Sequence, residues 1–187
     1  MQTINTIQLC NAIIYYLQQT NHKDDPLNVG HLMRISYALN IIHYLKCNQT
    51  ITSSYDLDEY TISVYGPYSN TIQEKFSDLY CLEPKFISNG IANQILLKRN
   101  NAFDIEIIPF NIDEIEPKLQ QTIKQYATKL WEMHPYDLCS YFMQEKQVDD
   151  LNTAIKNNEP SAREFDIPYN FKQSVDYFKD HQFFNNL

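Results

Sequence analysis

Leu32-Met33-Arg34-Ile35-Ser36-Tyr37-Ala38-Leu39-Asn40-Ile41-Ile42-His43-Tyr44-Leu45 is the stretch on which the fold turns. Leu32, Ile35, Leu39, Ile42 and Leu45 recur at intervals of three, four, three and three. That spacing lines up one face of an α-helix. Asn28 precedes the run as a candidate N-cap, because its side-chain oxygen can accept from a first-turn amide. The reading is an amphipathic helix laid against a core.

Working outward toward the N-terminus, Asn21 to Pro26 is a polar break, and before it Ile7, Cys10, Ile14 and Leu17 mark a first helix from about Thr6 to Thr20. Toward the C-terminus, Asn48 to Ser54 is rich in Thr, Ser and Asn. Glu59 to Tyr65 then alternates with β-branched and aromatic residues as a strand would. Gly66-Pro67 is read as ending that strand and turning into a helix carrying Ile72, Phe76 and Leu79. Ile95-Leu96-Leu97 and Ile105, Ile107, Ile108 flank a turn-rich segment, which predicts a β-hairpin. Asp113 and Glu114 precede Ile115, Leu119, Ile123, Tyr126, Leu130 and Met133, a long helix with acids placed in its first turn. His134-Pro135 ends it. Leu138, Tyr141 and Phe142 predict a next helix, and Leu151, Ala154 and Ile155 a shorter one. From Pro160 the chain is polar with aromatic islands at Phe165, Phe171, Tyr177, Phe178, Phe183 and Phe184, expected to wrap the core in irregular pieces and one short helix.

The expected architecture is α+β but predominantly α: a compact helical domain with a small β-hairpin or sheet element on one side. Residues 1–187 form a single domain in this reading, with a core of about 8–150 and a tail of 160–187 packed on it.

Composition narrows the function classes. The chain carries 15 basic and 23 acidic residues, net −8, and no ten-residue block gathers lysines or arginines. Phosphate binding draws on a basic patch, so no direct nucleic-acid partner is expected. No long apolar run supports a signal peptide or a membrane span. Cys10, Cys47, Cys81 and Cys139 form no C-x-x-C pair and are read as reduced core cysteines of a cytoplasmic protein. Asn48-Gln49-Thr50 fits the glycosylation pattern, which carries little weight without a secretion signal. The abundance of Asn and Gln is read as a compositional habit.

Catalytic constellations are sparse. Gly30, Gly66 and Gly90 are too few and too scattered for a phosphate-binding loop. His31, His43 and His134 lack metal-ligand spacing, so neither a metal nor a cofactor is expected. Cys139 lies near His134 and Asp137, the one sequence-local set suited to nucleophilic chemistry, but on an apolar helix face where an inert core thiol is the commoner outcome. Asp56, Asp58 and Glu59 are read as solvated acids in a loop before the strand. The segment that stands out is Tyr65-Gly66-Pro67-Tyr68: a glycine backbone open to close approach between two amphipathic rings of the kind enriched at binding hot spots. The competing reading makes it a plain strand-to-helix corner.

Three segments in order, and a fourth further on, resemble the Panacea domain, the family of SocA-like antitoxins and GepA-like phage-associated proteins. Gln8-Leu9-Cys10-Asn11-Ala12-Ile13-Ile14-Tyr15-Tyr16-Leu17 looks like its first helix, and Leu32 to Asn40 like its second. Ser63-Val64-Tyr65-Gly66-Pro67-Tyr68 is similar to its tryptophan-x-tyrosine-glycine-proline-valine corner, the most specific element. Leu130-Trp131-Glu132-Met133-His134-Pro135-Tyr136-Asp137-Leu138 is similar to its late helix pair. The chain departs from the family at Met33-Arg34-Ile35-Ser36, at Tyr68 in place of valine, and at Phe142-Met143 in place of threonine-histidine. The resemblance implies a non-enzymatic protein-binding module, an antitoxin that neutralises a toxin encoded nearby by direct complex formation, with Tyr65, Gly66, Pro67 and Tyr68 at the interface. Two alternatives stand beside it: a phage or mobile-element protein that inhibits a host defence factor by binding it, and an enzyme built on Cys139, His134 and Asp137. Self-association into a homo-oligomer is left open.

Overall fold

A computed structural model describes residues 3–20, 28–76, 85–88, 93–98, 105–160 and 162–181. The fold is α+β and predominantly helical, as the sequence predicts. Helix α1 (Thr6–Gln18) opens with a capping box in which the Asn5 side chain accepts from Gln8 N–H and the Gln8 side chain accepts from Asn5 N–H. Helix α2 (Val29–Cys47) is capped by Asn28, which accepts from His31 N–H at 2.9 Å. The short helix α3 (Ser54–Asp58) leads into strand β1 (Tyr60–Ser63), strand β2 (Gly66–Ser69) and helix α4 (Asn70–Phe76). Strands β3 (Lys85–Ser88), β4 (Asn93–Lys98) and β5 (Ile105–Phe110) form a separate antiparallel sheet in that order. Leu96 pairs with Ile107 and Ile95 with Ile108, so the two apolar runs read as a hairpin do pair. Residues 99–102 of the turn predicted at Lys98 to Ala102, Cys81, Leu79 and the aromatic pair Phe183 and Phe184 lie outside the described residues. Helices α5 (Pro117–Glu132), α6 (Pro135–Met143), α7 (Lys146–Lys156) and α8 (Phe171–Lys179) complete the order.

Several expectations are corrected. Helix α2 is not amphipathic in its setting: Val29, Leu32, Met33, Ile35, Tyr37, Ala38, Leu39, Ile41 and Ile42 are all buried, on every side of the helix. A helix apolar all round belongs in the middle of a structure, and α1, α4, α5, α6, α8 and β2 all pack on this one. Four polar side chains of α2 are buried, His31, Ser36, Asn40 and His43, and two of them make hydrogen bonds that tie the helix to its surroundings. Ser36 Oγ donates to Met33 O, and Asn40 accepts from the amides of Ile51 and Thr52, pinning that loop to the helix.

Asp113 and Glu114 sit in a separate 3-10 turn, Ile112–Glu114, and α5 restarts at Pro117 with no acid in its first turn. Proline at the first helical position needs no amide partner there and favours that restart. Cys47 is exposed in the last turn of α2, so the four cysteines are not all core residues; Cys10 and Cys139 are buried. Asparagine abundance has structural use, since Asn5, Asn28, Asn111 and Asn170 each cap a helix or 3-10 turn. The described tail contributes helix α8 and buries Tyr169 and Phe178.

Candidate partner-binding surface

The segment Tyr65-Gly66-Pro67-Tyr68 is the tip and return arm of a two-residue β-hairpin, not a strand-to-helix corner. Val64 and Tyr65 make the turn, and β1 pairs antiparallel with β2 through Ser63–Gly66, Ile62–Pro67, Thr61–Tyr68 and Tyr60–Ser69. Helix α4 begins only at Asn70. Gly66-Pro67 therefore starts a strand where the sequence reading ended one. The reason lies across the ladder. Proline brings no N–H to a strand, and its opposite residue Ile62 directs both backbone groups the other way, donating to Ile167 O at 2.8 Å and accepting from Phe165 N–H at 2.9 Å.

Gly66 adopts φ 109°, a region side chains disfavour. A Cβ there would meet Phe142 Cβ at 2.6 Å. The close approach that the bare glycine allows is thus made by helix α6 of the same chain, and Gly66 and Pro67 are buried.

The hairpin tip is clamped by four distant parts of the chain. Arg34 Nε donates to Tyr65 O at 2.9 Å, while its Nη1 donates to Gly30 O at 2.9 Å. Cys139 Sγ donates to the same Tyr65 carbonyl at 3.5 Å. Val64 N–H donates to Glu164 Oε1 at 2.9 Å, and Asn152 Nδ2 donates to Val64 O at 3.3 Å. The backbone of Tyr65 is held while the residue stays 54% exposed. Tyr68 is half-buried with its ring 4.4 Å from that of Phe165, which sits at φ 68° and is 44% exposed. Tyr136, 69% exposed, lies one turn before Cys139 on α6 and shares a helix face with it. Arg34 and Tyr136 are members of this surface that the sequence reading missed; only contact across 31 and 74 residues ties Arg34 and Cys139 to Tyr65.

The nucleophile set is engaged elsewhere. His134 Nδ1 accepts from Tyr136 N–H at 3.2 Å as the N-cap of α6, Asp137 is exposed, and burial pushes the Cys139 thiol up, away from the thiolate a nucleophile uses. His31 is 1% exposed, tilted against Trp131 with ring centroids 5.1 Å apart. Burial holds its pKa down to about 4, with the backbone of Trp131 acting in the opposite sense. Among the described residues no group of three or more His, Cys, Asp or Glu side chains gathers to hold a metal.

The acids Asp56, Asp58 and Glu59 belong to α3 and its C-cap, not to a loop, and of the three only Asp58 is exposed. Asp56 accepts from Thr6 N–H at 3.1 Å and from Ser53 Oγ, and Glu59 accepts from Thr71 Oγ1 at 2.9 Å, so these two tie α1 and α4 to the hairpin base.

A buried carboxylate invisible to the sequence reading lies between α6 and α7. Glu145 is 1% exposed and its Oε2 accepts from Tyr169 Oη at 2.6 Å, Gln147 Nε2 at 2.8 Å and Ser174 Oγ at 3.1 Å. Burial raises its pKa to about 7 against the pull of those three donors. In sequence it sits in Gln144-Glu145-Lys146, which has the look of an exposed polar linker. Clefts open beside α8: one of about 310 Å³ is walled by Tyr44, Leu57, Phe171 and Val175 with Asp58 and Asp176 also lining it. Cys139, His134 and Asp137 do not line it.

No protein-family model, curated protein or solved structure matches the chain. Among the described residues no helix is long and apolar enough to cross a membrane.

Proposed function

We propose that this chain is a non-enzymatic protein-binding module that neutralises a toxin by direct complex formation, gripping it with the hairpin tip at Tyr65 and the neighbouring Tyr136. The observation that carries the reading is the held backbone and free ring of Tyr65. Its carbonyl is fixed by Arg34 and Cys139 while the side chain stays in solvent. An aromatic presented on a fixed backbone loses little conformational freedom on binding, which is what makes tyrosine an effective interface anchor. The net charge of −8 adds to this, since an acidic surface speeds the encounter with a basic partner. The Panacea-like segment Ser63–Tyr68 coincides with the hairpin tip and its return arm. Gly66, Pro67 and Tyr68 act from behind in this reading: they shape the tip, and Tyr65 makes the contact.

The test is co-expression of this chain with the product of the adjacent reading frame, followed by affinity purification. A stoichiometric complex that relieves growth inhibition by the neighbour supports the reading. A neighbour that is harmless alone, or one that never co-purifies, contradicts it.

A further inference from the structure

The segment 162–170 crosses the outside of the β1–β2 hairpin as a strap. Ile62 N–H donates to Ile167 O, Phe165 N–H donates to Ile62 O, and Tyr169 N–H donates to Tyr60 O at 2.7 Å. The outer edge of β1, which would otherwise present unpaired backbone groups, is thus covered by chain a hundred residues further on. The far end of the strap is fastened to polar groups. Tyr169 Oη donates to Glu145 Oε2, Asn170 N–H donates to Gln147 Oε1 at 2.9 Å, and Gln147 Nε2 donates both to Glu145 Oε2 and to Asn170 O at 3.3 Å.

Glu145 is the unusual member. All three of its donors converge on Oε2, and Oε1 is buried with no hydrogen-bond partner among the described residues. A neutral carboxyl can carry its proton on Oε1 at modest cost, whereas an ionised one would bury charge on an oxygen that nothing solvates. The titratable groups facing it are Tyr37 from α2, Tyr169 from the strap and Tyr177 from α8, all phenols that burial pushes above their ordinary range. No cation among them compensates the charge.

We propose that the strap 162–170 is a pH-gated cover over the edge of β1, shut while Glu145 is protonated and loosened when Glu145 ionises. Lifting Tyr169 and Asn170 lets water reach the carboxylate, so the open form ionises near the ordinary value of 4.5 while the closed form holds its proton to about 7. Opening therefore grows as pH rises from 4.5 to 7 and levels off above that. The uncovered edge offers Ile62 N–H, Ile62 C=O and Tyr60 C=O to an incoming strand.

The test is amide hydrogen exchange on the full chain, expressed as protection factors at about pH 5.5 and about pH 8.5. Protection of the Ile62, Phe165 and Tyr169 amides is expected to fall by on the order of 30-fold between the two, since each pH unit inside the window is worth close to tenfold. The amides of Ile13 in α1 and Ile123 in α5 keep their protection. Glu145→Gln removes the pH effect. Tyr169→Phe deletes a donor to the ionised form and moves the midpoint of opening to higher pH. Strap protection that ignores pH, a pH effect that survives in Glu145→Gln, or equal losses at Ile13 and Ile123 would overturn the proposal. Should Glu145→Gln fail to fold, the midpoint in Tyr169→Phe decides alone, and an unmoved or lowered midpoint counts against it.

Discussion

The interior around α2 and the seam beneath the C-terminal strap are both buried and are held by different forces. Around α2, Leu32, Ile35, Leu39, Ile41 and Ile42 are at most 1% exposed and meet apolar neighbours from six other elements. Dispersion and the removal of apolar surface from water do the holding, and neither depends on one particular partner. In the seam, Glu145, Gln147, Tyr169 and Ser174 hold one another by directed hydrogen bonds, with Tyr37 Oη 3.5 Å from Ser174 Oγ. The rings of Tyr60, Tyr169, Phe171 and Phe142 surround Tyr37 at 4.9 to 6.1 Å, so it is the residue where the two regions join. The apolar region rests on burial that needs no particular partner, whereas the polar one rests on the mutual bonds of a few named side chains.

The comparison breaks first at Leu39. It is fully buried in the middle of α2, and Leu39→Ala should lower stability by roughly 2–5 kcal/mol, the cost of lost burial plus a cavity. Denaturant unfolding measures it. An unchanged midpoint would mean that α2 does not carry the core.

A pH experiment sharpens the contrast next. Two buried groups act in opposite directions. Glu145 holds its proton to about 7 when folded, so the stability tied to it is full below 4.5 and is lost as pH rises toward 7. His31 is kept neutral down to about 4, so the stability tied to it is full above 6.5 and is lost as pH falls toward 4. Between pH 4.5 and 6.5 the two offset each other in the wild type. Glu145→Gln removes one side, and its stability relative to wild type should rise across that window by a few kcal/mol, about 3 at the limit. Urea midpoints at a series of pH values read this out, and parallel profiles for the two proteins would remove Glu145 from the account.

Cys139→Ala is the milder perturbation. Its buried thiol lies three residues before Phe142 on α6 and makes a long hydrogen bond to Tyr65 O. Thermal unfolding should show a loss of about 1 kcal/mol, while binding activity stays within a few-fold of wild type because the shorter Arg34 Nε bond still holds the Tyr65 carbonyl. Abolished activity in a well-folded variant would return Cys139 to the centre of an enzyme mechanism.

How much was legible in the sequence follows the same division. Apolar periodicity and caps are local, so α1, α2 with Asn28 as its cap, α5, α6 and the β4–β5 pairing are readable from neighbours a few residues apart. The β1–β2 hairpin is not legible locally, because in sequence Gly66-Pro67 looks like a terminator. Its tolerance in a strand depends on Ile62 facing residues 165 and 167 and on Phe142 filling the space beside Gly66, contacts that no local window contains. Glu145 was invisible for a similar reason: its partners Tyr169 and Ser174 lie 24 and 29 residues away. Gly66 and Pro67, two of the four candidate interface residues, are buried and Tyr68 is half-buried, whereas Tyr65 is exposed.

That distinction sets the deciding measurement. Tyr68 packs on Phe165, so replacing it disturbs fold and surface together, whereas Tyr65 is 54% exposed and is held through its backbone carbonyl. Melting temperature and affinity for the co-purified neighbour are to be measured on one preparation of Tyr65→Ala. The account predicts stability within about 0.5 kcal/mol of wild type and binding weakened by about 1–3 kcal/mol, roughly 5- to 150-fold. Unaltered affinity in the folded variant would contradict it.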